Sequence, residues 1–126
     1  MVLVDTSIWI EYFKGNKITL PLNRLIDTNN ICVNDLILSE LIPSINHKNE
    51  NELKELLFAI TNIHLVINWN QVIHMQTLNL QNGINKVGIP DLIIAQNAIE
   101  NHLELYAIDK HFTLMSNLHS IILYNQ

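Results

Sequence analysis

The sequence predicts an α/β domain whose central, mostly parallel sheet lies between layers of helices. Two observations favour this class: short apolar runs of strand length recur along the chain, and segments with helical spacing of apolar residues separate them. A third observation is size, because 126 residues with 48% hydrophobic content suit one domain that buries roughly two-thirds of its surface. We therefore expect residues 1–126 to form a single domain.

The first predicted elements meet at an acidic residue. The apolar run 2–4 predicts a buried strand that ends at Asp5. Thr6 or Ser7 can cap the helix that follows, and Gly15 marks the end of that helix. We therefore expect the Asp5 side chain at the carboxyl end of a strand.

The next three elements continue the same alternation. A short helix over residues 20–26 tolerates Pro21 in its first turn, and the run 31–33 predicts a second strand. Asn34 or Asp35 can cap the long helix that comes next. The apolar residues of that helix follow i, i+3, i+4, i+7 spacing: Leu38, Leu41, Ile42 and Ile45.

The second half of the chain repeats this alternation. Helical spacing predicts a helix within residues 50–61, and the apolar run 64–67 is a strand candidate. Asn68 and Gln71 resemble a capping box for a helix that runs to Gly83. The remaining predicted elements are a helix over residues 91–102 opened by Pro90, a strand over 105–108, a helix near 112–115 and a last strand over 120–124.

Composition and charge exclude several classes of protein. One cysteine excludes a disulfide scaffold and a cysteine-rich zinc site, and no apolar run is long enough to span a membrane. The N-terminus lacks the basic flank and cleavage site of a signal peptide, so we expect a cytoplasmic protein. A net charge of −5, with Arg24 as the single arginine, differs from the basic composition of most nucleic-acid-binding domains. If the chain acts on nucleic acid, metal ions or a partner must offset repulsion from the phosphates.

Four acidic residues occupy positions from which they can meet at one site. Asp5 and Asp109 each follow a predicted strand, and ligands of open α/β sheets bind beyond the carboxyl ends of the strands. An aspartate at such a position also commonly caps the following helix, so neither residue identifies a site by itself. Asp91 lies in the middle of the core-facing stripe of its helix, where an unpaired carboxylate is costly. Glu40 lies at the edge of the apolar stripe of its own helix.

A divalent cation is the simplest reason for such carboxylates to cluster. Two unit charges about 5 Å apart repel by roughly 3 kcal/mol at an effective dielectric constant of about 20. Oxygen ligands suit Mg²⁺ or Mn²⁺ far better than zinc. These ions bind phosphate oxygens and lower the pKa of bound water, which is the chemistry of phosphodiester hydrolysis.

Four segments of the chain resemble the motifs of PIN-domain ribonucleases, specifically the VapC-type toxins of type II toxin–antitoxin systems. They follow the family's order: Val4 to Phe13, Ser39 to Leu41, Gly88 to Ala95, and Ile108 to Phe112. The first and third motifs are specific in combination, and the second is weak by itself. The resemblance covers essentially the whole chain. One departure is Ala107, since many relatives have a threonine or serine two residues before the last aspartate.

The resemblance implies a PIN-like three-layer sandwich that acts as a metal-dependent endoribonuclease and leaves 5′-phosphate and 3′-hydroxyl ends. The acidic residues that it assigns to Mg²⁺ or Mn²⁺ are Asp5, Glu40, Asp91 and Asp109. Asp5 and Asp91 would be the most direct ligands. Ser7, or less favourably Thr6, would help position a metal-bound water.

The resemblance also implies partners. These are an RNA substrate, a cognate VapB-type antitoxin, a second copy of the chain in a homodimer, and a toxin–antitoxin hetero-oligomer. The antitoxin is expected to block the site with an arginine or lysine placed among the carboxylates. Helical spacing of Trp9, Tyr12 and Phe13 predicts core packing or a subunit contact. Lys110 and His111 are candidates for contacts with RNA phosphates, although solvated side chains are the commoner outcome.

Three other functions are alternatives to a metal-dependent ribonuclease. The chain is a candidate for a catalytically inactive PIN-like binding scaffold, which a metal titration would distinguish. A dehalogenase-like phosphatase needs a second aspartate two residues after Asp5, where this chain has Ser7. A receiver-like phosphoacceptor domain is disfavoured because Asn68 and Trp69 follow the strand candidate 64–67.

Overall fold

One parallel sheet organises the molecule. The structure is a computed structural model that describes residues 1–124. Its strands are β1 (Val2–Val4), β2 (Ile31–Val33), β3 (Thr61–Asn62), β4 (Glu104–Tyr106) and β5 (Ile122–Leu123). They lie in the order β3-β2-β1-β4-β5, and each neighbouring pair is parallel. The predicted α/β class with a parallel central sheet is therefore confirmed.

Helices connect these strands and flank the sheet. They are α1 (Thr6–Phe13), α2 (Pro21–Asp27), α3 (Asp35–His47), α4 (Asn51–Ala59), α5 (Trp69–Gln81), α6 (Ile89–Glu100) and α7 (Lys110–Ser116). A single 3₁₀ turn, Lys17–Thr19, precedes α2. Among residues 1–124, no helix is long and apolar enough to cross a membrane.

The strand order explains the layers. The chain moves from β1 outward to β2 and β3, then returns past β1 to β4 and β5. Right-handed crossovers in the two directions place their helices on opposite faces of the sheet. Helix α1 accordingly packs against α3 and α3 against α4, while α5 packs against α6.

The reversal of strand order creates the position for a site. Strand β1 is central and pairs with β2 on one side and β4 on the other. The connections that leave β1 and β4 therefore diverge to different sides of the sheet at their carboxyl ends. In open α/β sheets such a switch point opens the crevice in which ligands bind.

The core surrounds β1 and β4. Leu3, Val4 and Leu105 are completely buried, and every residue of α6 from 92 to 98 is buried. Trp9 is also fully buried and contacts the rings of Tyr12 and Phe13. This aromatic group therefore belongs at least partly to the core of the protomer.

The predicted strand at residues 64–67 is wrong. The third strand is Thr61–Asn62, which pairs with β2 and lies at the end of the segment predicted as helix. Its pairing stops because β2 ends at Val33 and Asn34 then caps α3. Residues 63–67 alternate between half-buried and exposed side chains, as a strand would, but lie beyond the end of β2.

Side-chain amides of α6 hold this irregular segment instead of a strand partner. Asn97 donates from Nδ2 to the carbonyl of His64 at 3.2 Å and accepts from Asn34 Nδ2 at 3.0 Å. Gln96 bonds both the N–H and the carbonyl of Asn68, at 3.2 and 3.0 Å. These buried amides satisfy backbone groups that sheet pairing leaves open.

Candidate metal centre

Asp5 occupies the carboxyl end of the central strand. Its backbone N–H donates to the carbonyl of Tyr106 at 2.9 Å, which fixes it beside the end of β4. Its carboxylate caps α1, since Oδ2 accepts from the N–H of Ser7 at 3.2 Å and from Ser7 Oγ at 2.5 Å. Asp5 is only 5% exposed. The residue predicted from the end of the first strand is thus buried and oriented by Ser7.

Asp109 caps the next helix along this edge of the sheet. Its Oδ1 accepts from the backbone N–H of His111 at 2.8 Å at the start of α7. The preceding residue, Ile108, donates its N–H to Ser7 Oγ at 3.4 Å. Ser7 therefore links the Asp5 carboxylate to the loop that presents Asp109.

Asp91 enters the same space from the first turn of α6. The sequence predicts that Asp91 lies in a core-facing stripe; in the structure its side chain is half-buried, at the start of a helix in which residues 92–98 are all buried. Burial raises the pKa of Asp91 to about 6, and the negative charges of three other carboxylates contribute to this shift. Those carboxylates are Asp5, Asp109 and Glu40. The charges of the three other predicted carboxylates therefore reach Asp91, but of the four only Asp91 and Asp109 belong to a group whose ligand atoms all lie within 4.8 Å of one another.

Glu40 completes the acidic group from the middle of α3. It is exposed, and its Oε1 accepts from Thr6 Oγ1 at 2.8 Å. This hydrogen bond ties α3 to the first residue of α1, next to Asp5. Thr6 is thereby engaged with Glu40, whereas Ser7 contacts Asp5 directly.

The structure adds His111 to the predicted residues. One ligand atom from each of Asp91, Asp109 and His111 lies within 4.8 Å of the others, and the His111 Nδ1 to Asp109 Oδ1 distance is 3.4 Å. From the sequence, His111 is a candidate only for contact with RNA phosphates. The available signal was its position two residues after Asp109, in the first turn of the same helix.

The charges of this group are not balanced by nearby basic side chains. Within residues 1–124, the close ion pairs are Lys14 with Glu11 and His111 with Asp109, so no lysine or arginine pairs with the site. Burial also raises the pKa of Asp5; hydrogen bonds from Ser7 oppose this effect and the charge of Asp109 adds to it. An oxygen-rich, uncompensated group of this kind fits a divalent cation such as Mg²⁺ or Mn²⁺.

The domain that carries this site matches a known protein family over most of its length. The model of the PIN domain family matches residues 2–117. The chain belongs to the PIN domain family. PIN domains are typically nucleases, and the resemblance predicted from the sequence motifs is confirmed at the level of the family.

Three solved structures have a similar fold. The chain is 21% identical to VapBC2 from Rickettsia felis, solved bound to a promoter DNA fragment, with a TM-score of 0.77 and coverage of 100% of this chain and 99% of that one. It is 16% identical to FitAcB from Neisseria gonorrhoeae, with a TM-score of 0.72 and coverage of 99% and 97%. A toxin–antitoxin complex from Klebsiella pneumoniae is 18% identical, with a TM-score of 0.65 and coverage of 87% and 88%. A search of curated proteins finds no match.

Proposed function

We propose that this chain is a metal-dependent endoribonuclease toxin of the VapC type, which hydrolyses RNA phosphodiester bonds to 5′-phosphate and 3′-hydroxyl ends. The observation that carries the proposal is the meeting of four carboxylates from four separate elements. No lysine or arginine in the described part of the chain pairs with them. Membership of the PIN domain family supports nuclease chemistry.

The proposed ligands divide by burial. Asp5 is buried, Asp91 and Asp109 are half-buried, and Glu40 is exposed. Asp5 and Asp91, whose pKa values are raised by burial, are the best candidates for direct ligands, and Asp109 and Glu40 complete the group. A divalent cation bound there supplies an activated water and neutralises charge on the scissile phosphate. The protein contributes the carboxylates: the ends of β1 and β4 position Asp5 and Asp109, and helices α3 and α6 position Glu40 and Asp91.

Ser7 is the proposed positioning residue for the attacking water. Its hydroxyl lies between the Asp5 carboxylate and the N–H of Ile108, so its position is fixed from two sides. A fixed hydroxyl beside the most buried carboxylate can orient Asp5 with its proton and, with its remaining lone pair, accept one hydrogen bond from a water. Orientation of this kind lowers the barrier by holding the reacting groups in place.

The proposed protein partner is a VapB-type antitoxin. An open groove runs between α1 and α3 and reaches the site at Glu40. Its apolar lining residues are Ile10, Phe13, Leu41 and Ile45, and its charged ones are Lys14, Glu40, Lys48 and Glu50. This groove can receive an amphipathic segment whose arginine or lysine extends among the carboxylates. The structural neighbours from toxin–antitoxin complexes support a partner of this class.

Inhibition by the antitoxin gives a direct prediction. Exchange of the inserted arginine or lysine for alanine in the antitoxin should restore RNA cleavage while the complex still forms, because the carboxylates are no longer neutralised. Cleavage rates and complex formation should be measured on the same mixture. Unchanged inhibition in an intact complex would contradict insertion as the inhibitory mode.

The assembly and location are proposed on the same basis. We expect residues 1–126 to act as a single PIN-like domain in the cytoplasm, as a homodimer that assembles with antitoxin into a hetero-oligomer. Light scattering should give the mass of two copies for the toxin alone and a larger mass after antitoxin is added. A monomer at micromolar concentration would contradict the homodimer.

An RNA cleavage assay tests the nuclease. Purified protein and the Asp91→Asn variant are incubated with total cellular RNA in Mg²⁺, Mn²⁺ or EDTA, and the product ends are mapped. We expect discrete cuts with 5′-phosphates that require metal and are absent in the variant. Asp27→Asn, which changes an exposed carboxylate in α2, is the matched control and should cleave like the natural protein.

The same assay addresses the alternatives. No cleavage by folded, metal-bound protein across a broad RNA pool would favour the inactive binding scaffold. A phosphatase would release inorganic phosphate without internal cuts. That activity is disfavoured because Ser7 stands where a dehalogenase-like enzyme needs its second aspartate, and its hydroxyl bonds Asp5.

A further inference from the structure

An imidazole stands at the exposed corner of the acidic group. His111 lies in the first turn of α7, and its ring is 30% exposed. Its backbone N–H bonds Asp109 Oδ1 at 2.8 Å and its Nδ1 lies 3.4 Å from the same oxygen. The helix start therefore fixes the backbone of His111 relative to Asp109.

The spacing of this corner is that of ligands to one ion. Ligand atoms of Asp91, Asp109 and His111 all lie within 4.8 Å of one another. An octahedral ion with bonds of about 2.1 Å has neighbouring ligand atoms about 3 Å apart and opposite ones about 4 Å apart. The 3.4 Å between His111 Nδ1 and Asp109 Oδ1 falls within this range.

The charge of the site also favours a nitrogen ligand here. Four acidic residues surround the site already, and no lysine or arginine among residues 1–124 pairs with them. A neutral imidazole adds a ligand without adding negative charge. Imidazole nitrogen suits Mn²⁺ and later transition metals better than Mg²⁺, which strongly prefers oxygen.

We propose that His111 Nδ1 is a ligand of the cation held by Asp91 and Asp109, and that this mixed nitrogen–oxygen corner makes the protein prefer Mn²⁺ to Mg²⁺. The inference rests on the proposed function in one respect, because it requires that the carboxylates bind a divalent cation. It goes beyond that function by assigning a nitrogen ligand and a metal preference.

Electron paramagnetic resonance of bound Mn²⁺ tests the inference without measuring activity. Pulsed spectra report the coupling of Mn²⁺ to a directly coordinated ¹⁴N nucleus, and titrations with Mn²⁺ and Mg²⁺ give the two affinities. The variants are His111→Asn, which keeps the backbone N–H that bonds Asp109 but has no imidazole, and His74→Gln. His74 is exposed on α5, so its replacement controls for loss of a histidine.

The natural protein and His74→Gln should show the ¹⁴N coupling and bind Mn²⁺ more tightly than Mg²⁺. His111→Asn should lose the coupling and about tenfold in Mn²⁺ affinity, while its Mg²⁺ affinity changes much less. Bound Mn²⁺ without nitrogen coupling in the natural protein would overturn the His111 assignment and leave the proposed function intact. Persistence of the ¹⁴N coupling in His111→Asn would likewise overturn the His111 assignment and leave the proposed function intact. Failure of the natural protein to bind either ion would instead contradict the metal-dependent function itself.

Discussion

At the scale of single residues, ionisation of the buried carboxylates of the site is unfavourable, and a bound cation would make it favourable. Asp5 and Asp91 are the clearest instances, because burial raises the pKa of both. Both were predictable from the sequence, one from its place after an apolar strand and the other from its place in a core-facing stripe. His111 was not predictable as a neighbour of Asp91, because that proximity depends on how α6 and α7 approach each other.

The raised pKa of Asp91 predicts a pH-dependent stability difference. In the unfolded chain Asp91 ionises near pH 3.8, whereas in the folded protein it keeps its proton up to about pH 6. Its contribution to stability is therefore fully present below the lower value and is lost as pH rises through the upper one. In EDTA, the melting temperature of Asp91→Asn relative to the natural protein should rise between pH 4.5 and 7. Asp27→Asn is the control. If Asp91→Asn and the natural protein differ in melting temperature by the same amount at pH 4.5 and 7, the raised pKa of Asp91 does not affect stability.

Ser7 gives a second prediction at this scale. Ser7→Ala removes the hydroxyl that bonds Asp5 and accepts from Ile108, and it should lower the free energy of unfolding by about 1–2 kcal/mol. Metal-dependent cleavage should fall as well, since Asp5 loses its orientation. Ser7→Thr keeps the hydroxyl and should restore both. Urea unfolding and cleavage rates are the measurements, and full activity in Ser7→Ala would exclude the positioning role.

At the scale of elements, apolar patterning predicted the strands and helices, except where a strand depends on the length of its neighbour in the sheet. Residues 64–67 have the alternating burial of a strand, but the potential partner strand ends at Val33. The carbonyl of His64 instead accepts from Asn97, and Gln96 bonds the backbone of Asn68, the residue after the run. No local pattern reports the length of a neighbouring strand. The helices that present Asp91 and Glu40 were predictable, while the Thr6–Glu40 bond between α1 and α3 required their packing.

The hydrogen bonds of the Asn97 side-chain amide predict that its removal lowers the free energy of unfolding. Asn97→Ala leaves the Nδ2 of Asn34 and the carbonyl of His64 without their partner inside the protein. Unpaired buried polar groups of this kind cost about 1–3 kcal/mol each, so the free energy of unfolding should fall by at least about 2 kcal/mol. Asn70→Ala, at an exposed position of α5, should change it by less than about 0.5 kcal/mol. Similar urea midpoints for the two variants would show that these hydrogen bonds contribute little.

At the scale of the whole molecule, charge and topology combine. The switch in strand order brings Asp5 and Asp109 to one edge of the sheet, while the chain as a whole carries a net charge of −5. The sequence predicted the fold class, the family and the acidic residues, because each is encoded in short motifs and periodicities. The distances among those residues depend on helix packing, which no motif specifies.

The acidic balance predicts that RNA association depends on metal. With few basic side chains, the protein neutralises few phosphates by itself. A labelled RNA product of the cleavage reaction should bind at least about tenfold more weakly in EDTA than in Mn²⁺, and fluorescence anisotropy measures both. Equal affinities would mean that surface lysines carry the binding and that the cation has no part in it.

The central claim is that divalent metal bound by these carboxylates enables RNA cleavage. The most direct measurement titrates Mn²⁺ against metal binding and RNA cleavage in the same sample, for the natural protein and for Asp91→Asn. We predict that the two curves coincide in the natural protein and that the variant loses both. Cleavage that survives in EDTA, or in an Asp91→Asn variant that no longer binds metal, would contradict the claim.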